Sequence, residues 1–253
     1  MSIEVDWDRY ADQYDAITMK GSNPAYLALV KKVTDSFRNF QVRPDSLIAD
    51  LGGGTGNFTI PIAQMYPESR IVLVDSSEGM LNQAREKVYR YGLKNVDVIR
   101  ADISSDIPEI AKKYSRPFTH VMMIHALYTT GGKNSNLPKK ILSDISSNID
   151  DGVNSRFLIS DIDSLLRTGN WIPYCLFHAF KTFGLKEALA FLKRNDQAKL
   201  ANRFIDLKQE EGQYLLCNLD EFIKLMNSAG FLKVYEKSDK YYRGRDNFVI
   251  ASK

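Results

Sequence analysis

The chain has 253 residues, 44% apolar and 26% charged, with 34 Lys+Arg against 31 Asp+Glu for a formal net charge of +3. These values exclude a disordered chain, a collagen-like chain and a small disulfide-stapled domain. So small a charge gives no reason to expect nucleic acid as a partner, and two cysteines, Cys175 and Cys217, make no disulfide framework and suit a reducing compartment.

No run approaches the ~20 consecutive apolar residues of a membrane span, so no membrane partner is expected. Glu4, Asp6, Asp8, Asp12 and Asp15 leave no room for an apolar signal-peptide core, and a cytoplasmic protein is expected. Asn23-Pro24 reads as a helix cap followed by proline at the first helical position, and Leu27, Val30, Val33 and Phe37 carry the helix to about Phe40. Leu47–Leu51 is a short apolar run that stops at glycines, hence a buried strand. A helix follows to about Tyr66, then a strand over Arg70–Asp75. Met80, Leu81, Ala84 and Val88 mark a helix that Gly92 ends.

Further strands are expected at Val96–Arg100, Phe118–Ile124 and Arg156–Asp161, with a helix over Leu137–Ile149 between the last two. Near-continuous apolar strands separated by helices point to a parallel sheet covered on both faces. The alternation breaks at Asp163. From there to about Gly212 the chain reads as helical and rich in aromatics. Asn218 and Glu221 then form a capping pair for a helix ending at Gly230, and strands near Leu232–Lys237 and Asn247–Ala251 close the chain as an antiparallel pair. The fold class is therefore α/β: a Rossmann-like, seven-stranded, mostly parallel sheet with helices on both faces, the last strand antiparallel, plus a helical cap insert. It is read as one domain over 1–253, with an N-terminal cover segment at 1–22 and the insert at 163–212.

The sharpest motif is Asp50-Leu-Gly52-Gly-Gly54-Thr-Gly56-Asn57, where a buried strand ends in an acid and a glycine loop opens a helix. Glycines serve where backbone must turn sharply or lie against a ligand, and the helix N-terminus behind them suits an anion or a polar ligand. The dinucleotide fingerprint would need a third glycine where Asn57 stands, and the G-x-x-x-x-G-K-[ST] phosphate loop is absent.

A strand-end Asp followed by G-x-G-x-G resembles motif I of the class I S-adenosylmethionine-dependent methyltransferases. Val72-Leu-Val-Asp75, Asp75-Ser76-Ser-Glu-Gly-Met80, Ile99-Arg-Ala-Asp102-Ile103 and the closing Ala229-Gly230-Phe231 extend the resemblance over about 23–161 and 218–253. The second loop glycine, Gly53, stands at a variable position of that motif. The resemblance implies S-adenosylmethionine as cofactor and S-adenosylhomocysteine as product. It implies that Asp50, Gly52, Gly54 and Gly56 form the cofactor loop, that Asp75 takes both ribose hydroxyls, and that Ser76 belongs to the cofactor site. It further implies that Met80 packs on the adenine, that Asp102 and the Ile103 N–H meet its edge, and that Tyr14 in the N-terminal segment covers the cofactor. Each acid also has a bland reading: Asp75 as a helix cap, Asp102 as a loop acid.

His125 follows the fourth strand, at the end where ligands sit in such sheets, and can serve as a general base or merely line the pocket. Tyr10, Tyr128, Trp171, Tyr174, His178, Arg203 and Tyr214 are candidate substrate contacts, and His120, inside a strand, reads as structural. No metal site is expected. The aromatics of the insert (Trp171, Tyr174, Phe177, Phe180, Phe183, Phe191) read as a lid, a core patch or a homodimer face. Methyl transfer to oxygen, nitrogen or carbon of a small, apolar or aromatic acceptor is the expected activity. The rivals are a nicotinamide-dependent oxidoreductase, a non-catalytic cofactor-binding scaffold, and a protein or RNA methyltransferase.

Overall fold

Five consecutive buried residues, Leu47–Leu51, form β1 at the centre of the sheet. The computed structural model describes residues 7–19, 23–163, 171–186, 188–189 and 196–253. The chain runs α1 (Trp7–Thr18), α2 (Pro24–Asn39), β1, α3 (Thr59–Met65), β2 (Arg70–Asp75), α4 (Glu78–Arg90), β3 (Val96–Arg100), α5 (Ile107–Lys113), β4 (His120–Ile124), α6 (Leu137–Asn148) and β5 (Arg156–Ile162). It continues through α7 (Trp171–Phe183), α8 (Asp196–Glu210), α9 (Leu219–Ser228), β6 (Lys233–Lys240), α10 (Tyr241–Gly244) and β7 (Asp246–Ser252).

The strand order is β3-β2-β1-β4-β5-β7-β6. β1 pairs in parallel with β2 and β4, and β7 runs antiparallel to both β5 and β6. Successive strand residues alternate between faces, so each strand feeds two cores. One holds Leu47, Val72, Val121, Phe157 and Val249 under α5, α6 and α9; the other holds Ile48, Ile71, Met122, Leu158 and Phe248 under α2 and α3. Phe157 packs against Phe231 with ring centroids 4.7 Å apart, and both are fully buried. Each such ring contributes about 1.5–3 kcal/mol by leaving water.

The caps form as the sequence indicates. Asn23 accepts the Tyr26 N–H ahead of Pro24, and Asn218 and Glu221 exchange the two hydrogen bonds of a capping box. The fourth strand starts later than expected: Phe118 makes only an isolated bridge to Ile149, and the ladder begins at His120. His120 is buried, 3.0 Å from Thr119 Oγ1 and stacked on Phe40, and burial pushes its pKa down to about 4. It is a neutral, structural histidine.

The N-terminal segment contributes α1, which lies on α4 and touches α8. Asp8 of α1 accepts hydrogen bonds from Ser77 Oγ (2.6 Å) and the Gly79 N–H (2.8 Å) at the start of α4. A Cβ on Gly79 would lie 2.5 Å from Asp8 Cα, so only glycine allows the two helices this approach.

Candidate active site

The glycine loop is anchored to β2. The Gly52 and Gly53 N–H groups both donate to the Val74 carbonyl, at 2.8 and 3.0 Å. Gly52 has φ +73°, and a Cβ there would stand 2.5 Å from Ala126 Cβ. This contact brings the segment after β4, including His125, against the loop. Gly54 has φ +54°, and an added Cβ would meet nothing within 4 Å. The loop is therefore tight below Gly52 and open above Gly54, a cradle for backbone to lie along a ligand.

Asp75 ends β2 and faces that opening. Its Oδ2 accepts from the Gly54 N–H and its Oδ1 from the Ser77 N–H, both at 2.9 Å. Burial raises its pKa, while these N–H groups pull it down. A carboxylate has about four acceptor positions, so acceptor capacity remains beside the backbone N–H groups for a hydroxyl donor.

Asp50 has a different place from the one the motif suggests. It is 1% exposed and accepts a hydrogen bond from Thr59 Oγ1 at the start of α3. It shapes the loop from below and does not face the open side. Burial pushes its pKa up to about 7. The folded chain then holds a proton that the unfolded chain releases near pH 4. This contribution to stability is fully present below about pH 4 and is lost as pH rises to about 7. Asp50→Asn is expected to keep the Thr59 contact and remove that loss. Its stability relative to the parent should rise by a few kcal/mol between about pH 4 and 7. Urea unfolding across pH checks this, and a constant difference would contradict it.

α1 is tied to the loop beyond Gly54, at Thr55 and Asn57. Asp15 accepts from Thr55 Oγ1 (2.7 Å) and Asn57 Nδ2 (3.1 Å), and it pairs with Lys87 of α4. Lys87 also donates to the Thr55 carbonyl (2.8 Å) and Asn57 Oδ1 (2.6 Å). Burial lowers the Lys87 pKa, and Asp15 opposes the shift. The loop, α1 and α4 thus share one polar knot. Tyr14 stands edge-on to Tyr10 and Tyr26, at 5.6 and 6.3 Å, in an aromatic column beside it. Sequence reading named Tyr14 but missed Lys87, whose partners are far from it in the chain. Its only signal was a lysine on a helix packed behind the motif.

Of the other expected cofactor contacts, Ser76 is exposed beyond β2 and Met80 is buried in α4. Asp102 is exposed, and its Oδ1 accepts from the Ser104 N–H at 2.8 Å. Its own N–H donates to Asp106, so the acid starts a turn, with Ile103 half-buried next to it.

His125 has φ +53°, a left-handed backbone rare outside glycine. Its N–H donates to the Ser160 carbonyl at 2.8 Å, and Nε2 lies 2.9 Å from Asp246 Oδ2. Ser160 Oγ donates to the same Asp246 oxygen at 2.7 Å. Asp246 is fully buried. Strain held this firmly is characteristic of sites where a side chain must point one way. Asp246 and Ser160 were not anticipated, because β5 and β7 meet only in the folded sheet.

Nearby, Tyr128 and Tyr214 are buried and cross edge-to-face at 5.0 Å. Burial pushes the Tyr214 phenol up to about 12. Asp161 is buried beyond this pair, and its burial and the Asp246 charge raise its pKa well above the usual range. Tyr10 is buried in α1, Tyr174 and His178 are half-buried on α7, and Arg203 is exposed on α8. The Trp171 side chain and Phe191 lie outside the described residues. Among the described residues, no group of three or more His, Cys, Asp or Glu could hold a metal ion, and no helix is long and apolar enough to cross a membrane.

Comparison with known proteins bears on these features. Residues 48–139 match a family model described as a methyltransferase domain. A 23S rRNA (uracil(1939)-C(5))-methyltransferase, RlmD, of Xanthomonas campestris is 34% identical over 76 residues, 30% of this chain and 17% of that protein. A carboxy-S-adenosyl-L-methionine synthase of Nautilia profundicola is 29% identical over 114 residues, 42% of this chain and 48% of that one. The chain thus spans about half, or less, of these curated relatives. Magnesium protoporphyrin IX methyltransferase (ChlM) from Synechocystis, solved with bound S-adenosylhomocysteine, superposes with a TM-score of 0.61 at 15% identity, over 95% of this chain and 92% of that one. At that identity the likeness concerns the fold.

Proposed function

We propose that the chain is an S-adenosylmethionine-dependent methyltransferase acting on a small molecule, from the match of residues 48–139 to a methyltransferase-domain model and the seven-stranded, Rossmann-like sheet. The carrying observation is the open cradle at Gly54 with Asp75 beside it. Asp75 would take the ribose hydroxyls, Gly52 to Gly56 would lie along the amino-acid portion, and Asp102 and Ile103 would face the adenine. Tyr14 would cover the pocket from α1. Asp50 supports the loop. When bound, the cofactor supplies a methyl carbon already activated by its sulfonium, so alignment is the main task; alignment is worth ~7–11 kcal/mol of barrier.

His125 is the proposed base for an acceptor that must lose a proton. Asp246 accepting at Nε2 would place the ring proton there and hold the imidazole in one orientation. Tyr128 and Tyr214 supply an aromatic wall, with Tyr10, Trp171, Tyr174, His178 and Arg203 as further candidate contacts from α1 and the insert. Two buried tyrosines that cross edge-to-face suit a small aromatic or apolar acceptor better than RNA.

Calorimetric titration with S-adenosylhomocysteine, with NADH in parallel, tests the cofactor. Micromolar binding of the first alone is expected; preference for NADH would overturn the reading. Transfer of labelled methyl groups into a cell extract tests the acceptor. Label is expected in a fraction that passes a small-molecule filter. Label removed by nuclease or protease would favour a macromolecular acceptor, and cofactor binding with no transfer would favour the scaffold.

A further inference from the structure

The insert turns its apolar side outward. On α7, Cys175 and Ala179 are buried, whereas Phe177 and Phe180 are 66% and 53% exposed. Pro173 and Lys181 lie on the same outward side, by helical spacing and by their exposure. Phe183 at the end of the helix and Leu185 and Leu189 beyond it are exposed as well, with Lys181 and Lys186 exposed among them. Three phenylalanines and two leucines left in water within thirteen residues are not an ordinary scatter of single surface hydrophobics.

Charge selects the partner. Residues 171–210 carry seven Lys/Arg against four Asp/Glu, so this stretch accounts for the whole net charge of +3, and the rest of the chain balances. A second copy docking through the same face would bring Lys181 and Lys186, the exposed lysines among the phenylalanines and leucines, toward their own counterparts. An anionic lipid surface offers both what the phenylalanines and what the lysines seek: rings enter the boundary between headgroups and acyl chains, and ammonium groups stay at the phosphates. We propose that the α7 face is an interfacial docking surface for anionic membranes, which bind the insert without being crossed.

This placement has a consequence for the site. Tyr174 and His178, named above as candidate acceptor contacts, lie half-buried on the flank of α7 between the exposed phenylalanines and the buried Cys175 and Ala179. Candidate acceptor contacts and the docking face then belong to one helix, which suits an apolar acceptor taken from the bilayer. The docking itself does not depend on the methyl-transfer reading and is tested without it.

The test is flotation of the purified full chain with phosphatidylcholine vesicles and with vesicles containing about 30% phosphatidylglycerol. Parent protein is expected to float with the anionic vesicles and far less with the neutral ones. Phe177→Ser/Phe180→Ser should reduce flotation at least ~10-fold. Lys181→Glu/Lys186→Glu should reduce it comparably at low salt and less at high salt. Unchanged far-ultraviolet circular dichroism and thermal midpoint show that each variant is folded, the substituted positions being exposed. Two results would overturn the proposal: equal flotation of parent and Phe177→Ser/Phe180→Ser, or no flotation of the parent with a concentration-dependent dimer that the phenylalanine variant abolishes. The second result would assign the face to another copy of the chain.

Discussion

His125→Asn is expected to lower turnover by about 10²–10⁴-fold, the usual range for a lost general base, while S-adenosylhomocysteine affinity stays within about twofold of the parent's. Asparagine is the informative replacement because it tolerates the left-handed backbone that His125 adopts. An alanine there would mix a backbone penalty into the result. Asp246→Asn tests the positioning. The buried carboxylate accepts from both Nε2 and the Ser160 hydroxyl; an amide would favour the wrong tautomer. Turnover should fall with little change in KM. Turnover of His125→Asn equal to the parent across pH would remove the base role and leave His125 as a wall of the pocket. Stopped methyl transfer into the identified acceptor measures all of these.

Asp75→Ala is expected to weaken S-adenosylhomocysteine binding by about 1.5–3 kcal/mol, roughly 10–150-fold in Kd, the range for hydrogen bonds to a charged group. The loss has two sources that can be separated. One is the missing acceptor for the ribose. The other is loosening of the loop, because Asp75 accepts the Gly54 N–H. Asp15→Ala weakens the same loop from the other side, through Thr55, Asn57 and Lys87, without touching the ribose position. If Asp15→Ala costs as much affinity as Asp75→Ala, loop order carries the effect. If Asp75→Ala costs far more, direct contact carries it. Unchanged affinity in Asp75→Ala would sink the assignment of the pocket. Titration calorimetry on both variants decides between these outcomes.

The sequence alone determined the order of the strands and of α2, α3, α4, α6 and α9, because burial on both sheet faces writes near-continuous apolar runs such as Arg70–Asp75, and these helices write a 3.6-residue period; the helices α1 and α5 were not read from it. It determined where the glycine loop lies and that an acid follows it on the next strand. Local chemistry carries those signals, and so do the caps at Asn23 and Asn218.

What it left open are contacts between residues distant in the chain. Asp50 and Asp75 both end strands, yet one is sealed beneath the loop and the other faces the opening. Only the packing of α3 on β1 separates them. Lys87, Asp15, Ser160 and Asp246 join the site through helix packing and an antiparallel strand that returns across the sheet, and no local pattern encodes such meetings. The aromatics of the insert were visible as a cluster, but periodicity cannot say which side of a helix meets the core when both are apolar. Tertiary structure decided that Cys175 and Ala179 turn inward and Phe177 and Phe180 outward, because the side that packs is chosen by the surface beneath it.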